Sequence, residues 1–122
     1  GDAGFLMNVQ EFETAYRLDT NFVTLIFNDC SYGLIKWKQD MQYGHHECVD
    51  FTNPDFVKLA ESFHAIGYRI EKTEDLLPTL KKAFQQDKPV IIDCPIDYEE
   101  NMKLTAHLEQ LMKTLFIKKL WK

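Results

Sequence analysis

Cysteine, proline and glycine are all scarce in this chain. Its three cysteines are an odd number without a Cys-x-x-Cys spacing. That excludes a disulfide framework and a zinc ribbon, and it points to a reducing compartment, the cytoplasm. Four prolines and five glycines leave no low-complexity segment, no linker and no internal repeat. Positive charge is in the minority, with 14 Lys and Arg against 19 Asp and Glu and a net charge of −5. A nucleic-acid binder would carry the opposite balance. Long hydrophobic runs are missing too. The stretch Val23 to Phe27 is already broken by Thr24, whereas a membrane span needs about 20 apolar residues. What remains is 122 residues that are 45% hydrophobic and 13% aromatic, enough for a single domain with one core.

Apolar periodicity divides this chain into alternating helices and strands. Val9, Phe12, Ala15 and Tyr16 predict a helix over 8–18 with Asn8 as its cap. Asn21 to Asn28 reads as a strand buried on both faces. A short helix is expected over 34–42 and a polar loop over 43–53. Asn53-Pro54-Asp55 reads as a helix start, with Asn53 as cap and Pro54 in the first helical position. Phe56, Leu59, Ala60 and Phe63 then form an apolar stripe, and Gly67 is expected to end that helix. A strand at Tyr68 to Glu71 follows, then a helix capped by Thr73 and a buried strand from Pro89 to Cys94. A last helix is expected over 103–119, with Leu104, Leu108, Leu111 and Leu115 on one face. This alternation predicts an α/β fold: a partial doubly wound parallel sheet with helices on both faces. The chain opens on Gly1 without Met or signal peptide. A further strand is therefore expected upstream, residues 1–122 being one partial domain.

Two segments have the makings of a ligand site. Gly1-Asp2-Ala3-Gly4 is a small-residue turn before a helix, and Asn28-Asp29-Cys30-Ser31-Tyr32-Gly33 follows a strand. In doubly wound sheets ligands sit beyond the carboxyl ends of strands. Small residues at a helix start suit a phosphate, and two carboxylates, Asp2 and Asp29, suit a hard divalent cation such as Mg²⁺. Ordinary turn chemistry accounts for the same residues.

The same residues resemble a known family. Gly1-Asp2-Ala3-Gly4-Phe5, the helix containing Gln10 to Ala15, and the pair Asn28-Asp29 look like the thiamine diphosphate motif. The likeness continues through Tyr32-Gly33, Val49-Asp50-Phe51, Ala60 to Phe63, Gly67, Val90 to Asp93, and Pro95 to Tyr98 with Asn101. Over roughly residues 1–105 it resembles the C-terminal, diphosphate-binding domain of acetolactate synthase, nearest the catabolic type. The resemblance implies a Mg²⁺ ion held by the side chains of Asp2 and Asp29 and the backbone carbonyl of Ser31. It implies a cofactor diphosphate cradled by Gly1, Ala3 and Gly4, with Tyr32, Gly33 and Leu34 on the cofactor side and Asn28 supporting the loop. Trp37 and Lys38 would face the substrate. Two pyruvates would be joined with loss of CO₂ to 2-acetolactate, in a homo-oligomer paired through these domains. Ala3 stands where the family more often has Gly, and Lys38 where relatives tend to carry Gln. The catalytic glutamate of the family belongs to a separate pyrimidine-binding domain and has no counterpart here, so the chain alone is expected to be inactive. No residue is assigned to FAD. Two alternatives are another thiamine diphosphate-dependent 2-oxoacid decarboxylase and a non-catalytic α/β binding or assembly module.

Other reactive residue types have plainer readings. His45 and His46 are adjacent and point apart, as a solvated pair does. His64 is expected to be partly buried, and Cys30 to be a small loop residue rather than a nucleophile. Glu11, Glu13, Glu99 and Glu100 read as solvated charge, and the lysines near the C-terminus as compensation of a helix end.

Overall fold

A computed structural model describes residues 1–97 of the chain. The expected helix at 103–119, with its leucines, His107 and the lysine-rich end, lies outside those residues, as do Glu99 and Glu100. The order of elements is α1 (Asp2–Leu6), α2 (Glu11–Arg17), β1 (Val23–Asn28), α3 (Gly33–Tyr43), α4 (Phe56–Ser62), β2 (Ile66–Arg69), a 3-10 turn at Thr73–Asp75, α5 (Leu76–Ala83) and β3 (Val90–Pro95). The three strands are parallel in the order β1-β3-β2. All their carboxyl ends therefore lie at one edge, where Asn28 stands beside Pro95 and Arg69 beside Asp93.

Alternation along the strands builds two cores, one on each face. On one face Ile26 and Ile91 pack with Phe12 of α2, Phe56 and Ala60 of α4, and Ala65 just after α4. Phe5 closes this core with edge-on contacts to Phe12 and Phe56. On the other face Val90, Ile92 and Cys94 pack with Ile70 and Ala83, under Leu76 and Leu80 of α5. β3 is central and buried over Val90 to Cys94. β1 was expected to be buried on both faces. It instead lies at the edge of this sheet, and of its residues only Ile26 is fully buried.

Several local expectations are corrected by hydrogen bonding. Asn8 caps nothing, because α2 starts at Glu11 after a turn closed by the Glu11 N–H on the Asn8 carbonyl. Asn53 does not cap α4. That role falls to Asp55, whose carboxylate accepts from the N–H groups of Val57 and Lys58. Thr73 makes no side-chain cap. His64 is exposed rather than partly buried. It takes a left-handed conformation (φ 59°) that turns the chain out of α4, and its ring lies 4.7 Å from that of Tyr16.

Gly67 does not end α4, which stops at Ser62; it lies within β2. A Cβ there would come within 2.7 Å of the Val57 Cα and 2.8 Å of its carbonyl oxygen. Glycine is needed because the helix backbone crosses the strand at this point. Gly67→Ala is expected to destabilise the chain by about 1–3 kcal/mol, the usual cost of overpacking. A denaturant midpoint equal to wild type would contradict the close approach.

Candidate functional site

The carboxyl edge of the sheet carries a cleft of about 760 Å³, within the usual range for a small-molecule or cofactor site. Its floor is Gly1 to Gly4 at the start of α1, together with Asp29 and Ser31 from the loop after β1. Tyr32, Gly33, Leu34 and Ile35 form one wall, with Phe27 and the Ile96–Asp97 segment completing it. The turn expected at Gly1-Asp2-Ala3-Gly4 is itself the first turn of a helix.

Asp2 is 1% exposed, a burial that a carboxylate tolerates only with partners. Its Oδ1 accepts from the Ala3 N–H at 2.9 Å. Its Oδ2 accepts from the Cys30 N–H at 2.9 Å and from the Asn53 amide at 2.6 Å. The first of the Oδ2 bonds ties α1 to the loop after β1. It also holds Cys30 in the left-handed region (φ 53°), a conformation that costs a non-glycine residue energy. On the other side of the same loop, Phe51 N–H donates to the Cys30 carbonyl and Tyr32 N–H to the Val49 carbonyl. The segment expected as a plain polar loop thus carries a short antiparallel bridge, Ser31 to Asp50. Lys36 anchors it at Asp50, and that ammonium holds the Asp50 carboxyl below its ordinary pKa.

Asp29 stands beside Asp2. Burial first, then the neighbouring Asp2 charge, pushes its carboxyl above the ordinary value. An acid raised in the folded state favours folding below its unfolded pKa, and that benefit is lost as pH rises through the folded value. Above that value Asp29 carries a cost from burial and from its neighbour's charge, which a bound cation would offset.

Asn28 lies beneath the cleft rather than in its lining. Its amide donates to Asp93 Oδ1 at 2.9 Å, and its Oδ1 accepts from Asn53 at 2.9 Å. Asp93 is 1% exposed and also receives Arg69 through Nε at 3.0 Å and a terminal nitrogen at 2.9 Å. Arg69, Asp93 and Asn53 were not identified as site residues from the sequence. A lone carboxylate in the apolar run Val90 to Cys94 was the one available signal, since such a group is seldom fully buried without a partner.

Trp37 and Lys38 do not line the cleft. The cleft meets α3 only in its first turn, and both residues lie farther along the helix. His46 turns to Asp40 (2.8 Å) and His45 to the Tyr43 carbonyl (3.2 Å), so the pair parts as expected. Among the described residues no group of three or more His, Cys, Asp or Glu side chains is set to hold a metal, and no helix is long and apolar enough to cross a membrane.

The residues present suit a hard cation and an anion. Every candidate ligand is oxygen, from two carboxylates and a backbone carbonyl. A Cβ placed on Gly4 would meet nothing within 4 Å, so the space over α1 is open to a ligand. No side chain caps the start of α3, which leaves its first N–H groups directed to the same end.

Comparison with known proteins agrees with this geometry. The family described as "Thiamine pyrophosphate enzyme, C-terminal TPP binding domain" matches residues 1–94. The chain belongs to this family. Acetolactate synthase of Bacillus subtilis is 41% identical over 119 residues, which is 93% of this chain and 21% of that protein. The catabolic acetolactate synthase of Raoultella terrigena is 37% identical over 114 residues, 92% of this chain and 20% of that protein. A thiamine diphosphate-dependent 4-hydroxybenzoylformate decarboxylase of Rhodococcus jostii has a similar structure, with a TM-score of 0.75 and 25% identity over 82% of this chain and 19% of its own. The chain thus spans about a fifth of the length of the relatives it matches.

Proposed function

We propose that the chain is the diphosphate-binding part of a cytoplasmic acetolactate synthase, which joins two pyruvates to 2-acetolactate with release of CO₂. The observation that carries this reading is the placement of Asp2 and Asp29 side by side at the floor of one cleft, in a chain 41% identical to a named acetolactate synthase. Asp2, Asp29 and the Ser31 carbonyl would hold Mg²⁺. Ala3 and Gly4 would admit the diphosphate close to the backbone, with Gly33 and Leu34 on its other side. Thiamine diphosphate supplies the carbanion chemistry; the protein supplies orientation and electrostatics.

The wall residues have a further use. Phe27, Leu34 and Ile35 are each half exposed or more, which suits coverage by a second domain that would exclude water and bring its own glutamate. A homo-oligomer paired there would complete the site, whereas residues 1–122 by themselves would not turn over.

Calorimetric titration of thiamine diphosphate into the chain tests the reading. Binding is expected with Mg²⁺, to vanish with EDTA, and to weaken at least about tenfold in Asp29→Ala. Binding indifferent to both would refute the cation site. A second reading, decarboxylation without ligation, is favoured by the structural likeness to the Rhodococcus decarboxylase. Product analysis of the full-length protein with pyruvate separates the two: acetolactate supports the first, acetaldehyde alone the second.

A further inference from the structure

Asn53 stands ahead of α4, yet its side chain turns away from the helix it was expected to cap. Its amide nitrogen donates to Asp2 Oδ2 at 2.6 Å and to Asn28 Oδ1 at 2.9 Å. The orientation of that amide is forced from both sides. Asp2 as a carboxylate can only accept. Asn28 must present its oxygen, because its own nitrogen is committed to the Asp93 carboxylate. Asn53 therefore gives its nitrogen to both neighbours, and its Oδ1 is left buried with no hydrogen-bond partner.

A buried carbonyl without a partner costs stability. Local structure does not call for it, since Asp55 already caps α4. The amide is kept for what it donates to. We propose that Asn53 is a positioning residue for the cation site, fixing the Asp2 carboxylate so that its remaining lone pairs face the cleft. This rests on the reading of Asp2 as a cation ligand.

Asn53 is one link of a continuous hydrogen-bonded chain. Arg69 donates to Asp93, which accepts from Asn28, which accepts from Asn53, which donates to Asp2. The chain crosses the carboxyl edge of all three strands and ends on the carboxylate. Each bond restricts the orientation of the two groups it joins, so the Asp2 carboxylate is tied through Asn53 and Asn28 to Asp93 and Arg69 across the sheet. Outer groups of this kind typically change metal affinity by about 10–100-fold when removed.

The test compares wild type, Asn53→Leu and Leu80→Ala, each as the complete chain. Leucine has similar bulk and no hydrogen bonds. Leu80 packs on the opposite face of the sheet and serves as a control for lost stability alone. Two quantities are read: the Mg²⁺ concentration needed for half-saturation at fixed thiamine diphosphate, and the thermal midpoint in EDTA. Asn53→Leu is expected to raise the Mg²⁺ requirement about tenfold or more. Leu80→Ala is expected to lower the midpoint and leave the requirement at the wild-type value. Should Asn53→Leu fold poorly, Asn53→Thr, which keeps one hydroxyl donor, is expected to fall between Leu and Asn. An unchanged Mg²⁺ requirement at position 53, or an equal rise in Leu80→Ala, would overturn the proposal. Wild type that binds thiamine diphosphate without regard to Mg²⁺ would instead overturn the cation site itself, and this inference with it.

Discussion

Asp2→Ala is expected to reduce Mg²⁺-dependent binding of thiamine diphosphate by about 100-fold or more, the largest effect of any single change in the site. That corresponds to about 2.7 kcal/mol of binding free energy. Asp2 has two tasks. In the proposed reading it would offer a carboxylate to the cation, and in the structure it accepts the hydrogen bonds that hold the loop after β1 against α1. Without it the Cys30 N–H loses its acceptor and the Asn53 amide loses its 2.6 Å bond, keeping Asn28. Cys30 would then be free to leave its left-handed conformation, carrying Asp29 and the Ser31 carbonyl out of place. Asp29→Ala would remove a proposed ligand but leave these bonds intact, so its effect should be smaller. Asp2→Asn divides the two tasks. It retains an acceptor for the loop but has no charge for the cation, so it should recover thermal stability more than affinity. Calorimetry and a thermal midpoint, measured on the same three variants, check this ordering. Cofactor affinity in Asp2→Ala equal to wild type would remove Asp2 from the cation site.

Arg69→Leu should produce the largest loss of stability, although Arg69 does not line the cleft. Asp93 is buried in the central strand and holds Arg69 through two nitrogens. Removing one partner of a buried ion pair strands the other, at about 3–5 kcal/mol. Arg69 is itself 41% exposed, so water screens part of the interaction and about 2–3 kcal/mol is the expected loss. For a chain of this size that is a fall of roughly 10 °C in the unfolding midpoint. The bond to Asp93 raises the Arg69 pKa above its already high ordinary value. A raised base brings stability that is complete below its unfolded pKa and is lost only as pH rises through the folded one. The guanidinium contribution should therefore be constant across the neutral range. Asp93 Oδ1 would still receive Asn28 in the variant, so a reduced cofactor affinity should accompany the lost stability, mild beside that of Asp2→Ala. A midpoint within about 1 °C of wild type would mean the pair contributes little.

Elements with a strong apolar period were readable before the structure: the stripe of α4, the face of α5 and the continuous run of β3. Those patterns report burial, which each segment encodes locally. Boundaries failed where a side chain had two possible partners. Asn53 and Asp55 are both good caps, and only the position of Asp2 decides that Asn53 serves elsewhere. Gly67 looked like a helix stop because glycine commonly is one; its cause is Val57, on an element that packs across it. β1 reads as fully buried from its composition, but its place at the edge depends on which strands pair. Most of the residues expected around the cofactor do converge on one cleft, while Asn28 lies under it and Trp37 and Lys38 outside it.

Local sequence pattern was enough for the class of fold, the parallel alternation and the two segments that carry Asp2 and Asp29. Periodicity, strand composition and small-residue turns are short-range properties, and they are written within a few residues of where they act. The strand order, the close crossing at Gly67 and the hydrogen-bonded line joining Arg69, Asp93, Asn28, Asn53 and Asp2 came from tertiary packing. The Asn53–Asp2 bond joins residues 51 apart and the Asn28–Asp93 bond residues 65 apart. Hydrogen bonds act over about 3 Å, and no local pattern brings such distant groups within that reach. Packing the crossovers onto the sheet does.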